Sequence, residues 1–355
     1  MRIPKLKTPE AFRKNTASLG IDLPCDDHVL PAAESPLSTP LDIIKLNGKT
    51  AGNRIAIHPM EGWDGTKTGG VTKEMKRRWQ RFGMSGAKLI LGGEAMAVRH
   101  DGRANPNQLI ISNENKSEIA GLLELLLDSH QEKYDTTEDL VVGFQLTHSG
   151  RFCRPNEHSQ FEPRVAYRHP ILDSKFKVTS DKQLWTDDEI DELIQCYIRA
   201  ARIAADIGAD FVDIKHCHGY LLHEFLGAHT RPGRYGGSFE NRTRILSQII
   251  NGIRSDRNQI DIIVRLSAFD LVPFRSDPEK SSSGKLGPGI PENFSHCLPY
   301  NYGFGVNPDN PLEYDLNEPQ KFIKLCSELG VKLVSLSAGS PYYNPHIQRP
   351  AIYPP

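Results

Sequence analysis

Six runs of apolar and β-branched residues recur along the chain, at 53–59, 87–95, 140–148, 210–217, 260–268 and 331–339. Each stays apolar almost to its C-terminal end and turns polar there. That is how a strand covered on both faces reads when its chemistry lies at its carboxyl end. Between the runs the apolar period changes to that of a helix. Residues 186–208 are the clearest case. Thr186 and Glu189 make a capping box, Gly208 supplies the stop, and Ile190, Leu193, Ile194, Tyr197, Ala201 and Ala204 form one apolar face. Segments 72–83, 117–131 and 238–255 carry the other well-patterned helices. Strands alternating with helices predict an α/β fold with a parallel sheet, and a TIM (β/α)8-type barrel is its natural closure. About six of the eight β/α units of such a barrel are visible.

The pattern divides the chain into an N-terminal arm over residues 1–50, rich in proline and polar groups and expected to be loop-like, and a barrel over 51–355. The barrel is expected to be incomplete at its C-terminus. Residues 269–318 form a long irregular excursion after the fifth strand, of the kind that serves as a lid or binding loop.

Composition narrows the partners. Among 355 residues, 25% are charged and the formal net charge is -1, with no basic block to attract nucleic acid or an anionic membrane. The apolar run in residues 120–130 contains Glu124 and is too short to span a bilayer, and no apolar stretch follows the basic N-terminus. Cys25, Cys153, Cys196, Cys217, Cys297 and Cys326 lack the spacing of a zinc module and suit reduced thiols. The expectation is a cytoplasmic protein with a small-molecule substrate, no nucleic-acid or membrane partner, and a second copy or completing chain as its possible protein partner.

The strand ends gather His58, Glu61, Gln145, His148, Lys215, His218 and Arg265 on one rim. This set offers hydrogen bonds to a planar, electron-rich ligand, and no nucleophile elbow, phosphate loop or zincin motif accompanies it. Residues 210–244 leave two chemistries open. His216 and His218 alternate along a strand and could hold zinc on one face, as in a barrel hydrolase. The same stretch could instead perform acid–base work. For residues 235–244 a structural reading suffices: Gly236 and Gly237 turn, Ser238 caps a helix, and Glu240 sits in its first turn.

Five fragments in order, NRIAIHPM, GGEAMAVRHDGR, FQLTHSGR, HGYLLHEFL with YGGSFENRTR, and VRLS, resemble the Old Yellow Enzyme family of FMN-dependent NAD(P)H oxidoreductases. The likeness spans about residues 41 to 340. It implies FMN as cofactor and NAD(P)H as reductant. The backbone of Pro59 and Met60 would lie along the flavin edge, with Ala95 near the pyrimidine end. Gln145 would bond the pyrimidine ring, and Arg265 would sit by N1 and the O2 carbonyl, where a cation favours hydride acceptance.

The family's paired substrate-holding positions fall on Lys215 and His218, and its proton-donating tyrosine on Tyr220. The implied reaction is ene reduction: two donors polarise an α,β-unsaturated carbonyl, flavin N5 passes hydride to the β-carbon, and Tyr220 protonates the α-carbon. Three departures stand out. Lys215 replaces the usual histidine and could also pair with Asp213 or Glu224. Glu61 stands where a thiol or hydroxyl commonly tunes the flavin, and the loop 227–237 is short. The family's phosphate-holding loops follow a seventh and eighth strand, so weak flavin retention is expected. The alternative readings are a catalytically impaired partial barrel acting as an interaction protein or truncated gene product, and the zinc hydrolase.

Overall fold

A computed structural model of the chain describes residues 5–256, 260–283 and 286–348. Its main sheet is built from β1 (Ala56–Ile57), β2 (Leu89–Ile90), β3 (Ala95–Ala97), β4 (Val141–Thr147), β5 (Phe211–His216), β6 (Asp261–Ser267) and β7 (Val334–Ser337). The order is β7-β6-β5-β4-β2-β1, with β3 also on β4. Every pairing in it is parallel. The connections carry α1 (Lys73–Met84), α2 (Lys116–Tyr134), α3 (Asp187–Asp206), α4 (Leu221–Leu226), α5 (Phe239–Arg254) and α6 (Asn317–Glu328). Successive β/α units thus curl into the wall of a barrel.

The helix ends follow their local chemistry. Thr186 Oγ1 accepts the Glu189 N–H and Glu189 Oε2 accepts the Thr186 N–H, so the capping box at α3 is closed from both sides. Every expected position of the α3 apolar face is buried, together with Ala200 and Ile203. At α5, Ser238 Oγ accepts the Asn241 N–H and Glu240 lies in the first turn. The structural reading of residues 235–244 therefore holds.

Strand parity separates two environments. Phe144, Val212, Ile214 and Val264 face the helices and join their core. On the opposite face the lower layer is apolar, with Leu89, Val141, Phe211 and Ile263 in one cluster with Leu46 and Ala51. Gly143 must be glycine here, since a Cβ would lie 2.3 Å from the Phe211 ring. Above that layer the same face becomes polar through Gln145, Asp213, Lys215 and Arg265.

Leu46 and Ala51 come from a segment expected to be loop-like. It holds a helix, Pro9–Ser18, and an antiparallel hairpin, Leu41–Leu46 with Lys49–Ala51. The hairpin plugs the foot of the sheet, so the apolar residues of LDIIKL have a core to join. The run 87–95 is also two strands. Gly92 takes φ +127 between them, and a Cβ on Gly93 would lie 2.5 Å from the Trp79 ring. The excursion 269–318 packs around its own cluster of Val272, Cys297, Tyr300 and Val306 and contains a hairpin, Phe274–Ser276 with Gly289–Pro291. The six cysteines are unpaired. Among the described residues no helix is long and apolar enough to cross a membrane.

Candidate active site

The carboxyl ends of β1, β5, β6 and β7 surround a cavity of about 660 Å³. Its lining includes Pro59, Met60, Lys215, His218, Tyr220 and Arg265, six of the eight residues expected at the site. Ala95 and Gln145 do not line it. They lie one layer down, where the ladder runs Ala95, Gln145, Asp213, Ile263 across four strands. The next inward row of that ladder pairs Lys215 with Arg265. Neighbouring strands lie about 4.8 Å apart, so Gln145 and Arg265, two strands apart, are within the span of one planar heterocycle. None of the described residues of the excursion 269–318 belongs to this lining.

Beneath the cavity, Gln145 Nε2 donates to Asp213 Oδ2 at 2.6 Å. Three buried polar atoms in this array have no hydrogen-bond partner among the described residues: Gln145 Oε1, Asp213 Oδ1 and Arg265 Nε. Buried polar atoms are rarely left so, and two acceptors beside a guanidinium suit a ligand with both N–H and carbonyl groups on one edge. The pyrimidine end of a flavin has that edge, so the residues fit FMN. Gln145 and Arg265 would hold it.

Burial pushes the Asp213 carboxyl up to about 7, against the opposing pull of Gln145, Arg265 and Lys215. A carboxyl with a folded pKa above its unfolded value binds its proton more tightly in the native state, and the stability this lends is lost as pH rises from about 4 to about 7. In the flavin-free chain, Asp213→Asn is therefore expected to stabilise by an amount that grows by up to about 1.4 kcal/mol per pH unit over that window. Urea midpoints of both proteins at about pH 5 and about pH 8 check this, and a pH-independent difference would remove Asp213 as the titrating group.

At the cavity wall Lys215 pairs with Glu61, and neither Asp213 nor Glu224 is its partner. Glu224 belongs to Arg151, whose Nη2 donates to its Oε1 at 2.6 Å. The two departures noted in the sequence thus meet: the cation that replaces a histidine neutralises the carboxylate that replaces a thiol or hydroxyl. Lys215 Nζ also stands 3.4 Å from the centre of the Tyr220 ring. Tyr220 caps α4 and is 1% exposed, and its hydroxyl lies 2.6 Å from that of Tyr342. Burial, reinforced by the nearby Glu61 carboxylate, pushes the Tyr220 phenol well above its ordinary range, so it stays protonated at neutral pH.

His218 and Gly219 leave the strand with φ +65 and +78. A glycine takes this left-handed region freely and a histidine at some cost, repaid here by the His218 N–H donating to Ser267 Oγ at 2.9 Å. The turn carries His218 into the cavity lining, whereas His216 stays on the helix-facing side, 5.5 Å from the Phe322 ring, and burial lowers its pKa to about 3. The zinc reading fails on this point, because the two histidines do not share a face. Among the described residues no group of three or more His, Cys, Asp or Glu could hold a metal ion.

Sequence reasoning missed Asp213 and Tyr342. An aspartate inside the apolar run DFVDIK, with the inward parity of Lys215, was the available signal for the first. The tyrosine pair directly after the last strand was the signal for the second.

A curled parallel α/β wall with a polar layer at its strand ends defines the class, and comparison defines the family. The chain belongs to the NADH:flavin oxidoreductase / NADH oxidase family, whose model matches residues 37–280. It is 33% identical over 233 residues to an NADPH dehydrogenase of Geobacillus sp. (strain WCH70), a match covering 64% of this chain and 63% of that protein. The chain therefore spans less than two thirds of that relative. Among solved structures it resembles the Old Yellow Enzyme from Pichia sp. AKU4542, with TM-score 0.60, 20% identity, and 91% of this chain and 75% of the other covered. The Zymomonas mobilis homologue gives TM-score 0.59 and 21% identity, covering 90% of this chain and 81% of the other. The fold is that of a TIM barrel, and family membership implies FMN with NAD(P)H as reductant.

Proposed function

We propose that this chain carries the active site of an FMN-dependent NAD(P)H oxidoreductase of the ene-reductase type, acting on an activated C=C such as that of an α,β-unsaturated carbonyl. The observation that carries this reading is the buried phenol of Tyr220 in one cavity lining with Lys215 and His218. FMN, when bound, supplies the two-electron chemistry that moves hydride from NAD(P)H to the substrate. The chain's own residues do the rest. Arg265 and Gln145 would hold that cofactor, and the guanidinium would favour negative charge on it.

Lys215 and His218 orient and polarise the substrate carbonyl. Glu61 keeps the net charge near Lys215 low, so the ammonium acts as a hydrogen-bond donor without leaving an uncompensated cation in the wall. Tyr220 delivers its hydroxyl proton to the α-carbon.

Titration with FMN, followed by flavin fluorescence, tests the cofactor half of this reading. Binding should quench the emission, and NAD(P)H should bleach the bound absorbance until an enone restores it. Removing a charged hydrogen-bond donor costs about 1.5–3 kcal/mol, so Arg265→Met should weaken FMN binding roughly tenfold to a hundredfold. Equal affinity in the variant would show that the guanidinium does not touch the cofactor.

A further inference from the structure

Each ene reduction consumes one proton that NAD(P)H does not bring, since that reductant gives only hydride. On the reading above the proton reaches the substrate from Tyr220. The Tyr220 side chain is held by Lys215 over its ring and by Phe152 with ring centres 5.7 Å apart, in a buried cluster with Ala104, Leu172 and Phe176. Tyr220 meets the cavity yet is only 1% exposed, and Glu61, paired with Lys215, is an acceptor toward its hydroxyl. Among the described residues its other polar contact is the hydroxyl of Tyr342 at 2.6 Å.

Tyr342 is built into place. Its ring stacks on Phe152 with centres 4.2 Å apart and an interplanar angle of 27°. Its N–H donates to Ser340 Oγ at 3.2 Å, and its carbonyl accepts from Lys175 Nζ at 2.9 Å. Next along the chain, Tyr343 donates to Asp270 Oδ1 at 3.2 Å and Asn344 Nδ2 to the Leu271 carbonyl at 2.9 Å, pinning the segment over the rim. Both tyrosines line the cavity, but Tyr342 is only partly buried where Tyr220 is 1% exposed. Two phenols thus share one aromatic support, one nearly buried and one more exposed to water, with their oxygens in hydrogen-bond contact.

We infer that Tyr342 is the relay that returns a proton to Tyr220 in every turnover, an inference that rests on the ene-reductase reading. The Tyr220 O–H bond breaks as the α-carbon C–H bond forms with the enolate electron pair. The Tyr342 proton then moves to the Tyr220 oxygen, and water restores Tyr342, so one solvent proton enters per hydride transferred. Tyr342 touches no reacting carbon and acts through Tyr220.

The test compares the full chain and Tyr342→Phe, each loaded with FMN and reduced by NADPH, then reoxidised by 2-cyclohexenone or by ferricyanide, which takes electrons without a carbon-bound proton. Loss of the relay should slow the cyclohexenone step about tenfold or more and raise its solvent deuterium isotope effect. Ferricyanide reoxidation, reduction by NADPH and FMN affinity by fluorescence should not change. An unchanged cyclohexenone rate overturns the relay. So does a variant in which both acceptors slow together or FMN binding falls, because Tyr342 would then only shape the pocket. If the parent chain reduces ferricyanide but never cyclohexenone, the ene-reductase reading itself fails and takes the relay with it.

Discussion

Replacing Tyr220 by phenylalanine is expected to slow enone reduction by about 10² to 10⁴-fold, the range for loss of a positioned general acid. The substitution removes one oxygen and little else. The ring keeps its packing on Phe152 and its place under the Lys215 ammonium, and the backbone still caps α4, with the Glu224 N–H donating to the Tyr220 carbonyl at 2.8 Å. Reduction of the bound cofactor by NAD(P)H needs no proton from this phenol and should persist, as should electron transfer to ferricyanide. Stopped-flow measurement of the two half-reactions separates these effects. An undiminished enone rate would remove Tyr220 from the chemistry.

Beside that phenol stand the two departures noted in the sequence, Glu61 and Lys215, 154 positions apart and in contact in space. Taken singly, each is a problem. A carboxylate at Glu61 would oppose negative charge on a nearby cofactor, and a nearly buried ammonium at Lys215 would be costly without a partner. Paired, they form a wall of low net charge that still presents N–H donors, which is what a carbonyl oxygen requires. The pair also sets the orientation of Lys215 toward the Tyr220 ring, so the donor and the holding group are positioned by one interaction.

Local physics made much of this legible in the sequence. Strands covered on both faces read as apolar runs, and helix ends announced themselves through Thr186, Glu189 and Ser238. What escaped was mostly decided by contacts distant in the chain. The partner of Lys215 could not be chosen among several acidic residues without the register that aligns β1 and β5 on one rim. His216 and His218 looked equivalent by parity until a left-handed turn at His218 and Gly219 ended the strand between them. One miss was local: Asn47 and Gly48, at φ +51 and +75 between two β-forming runs, are the dipeptide of a tight hairpin turn, and proline-rich surroundings obscured it.

The largest effect on stability is expected from Arg151→Met, at about 3–5 kcal/mol, the cost of stripping the cation from a buried ion pair. Arg151 is 2% exposed and donates from Nη1 to Asp173 Oδ1 at 2.5 Å, from Nη2 to Glu224 Oε1 at 2.6 Å, and from Nη2 to the Tyr167 carbonyl at 2.9 Å. Asp173 retains Arg168, whose Nε lies 2.5 Å from its Oδ2, but Glu224 has no second cation and its Oε2 already lacks a partner among the described residues. Methionine fills much of the volume, so the loss would come from the stranded carboxylate. Adding Glu224→Gln to Arg151→Met should then recover part of it, because a neutral amide is cheaper to bury than an unpaired charge. Urea unfolding of the single and double variants reads both terms. A loss below about 1 kcal/mol, or no recovery in the double variant, would mean that water or a shifted backbone already satisfies Glu224. Since Glu224 lies in α4, the helix that Tyr220 caps, the same substitution should also slow enone reduction while the phenol itself remains in place.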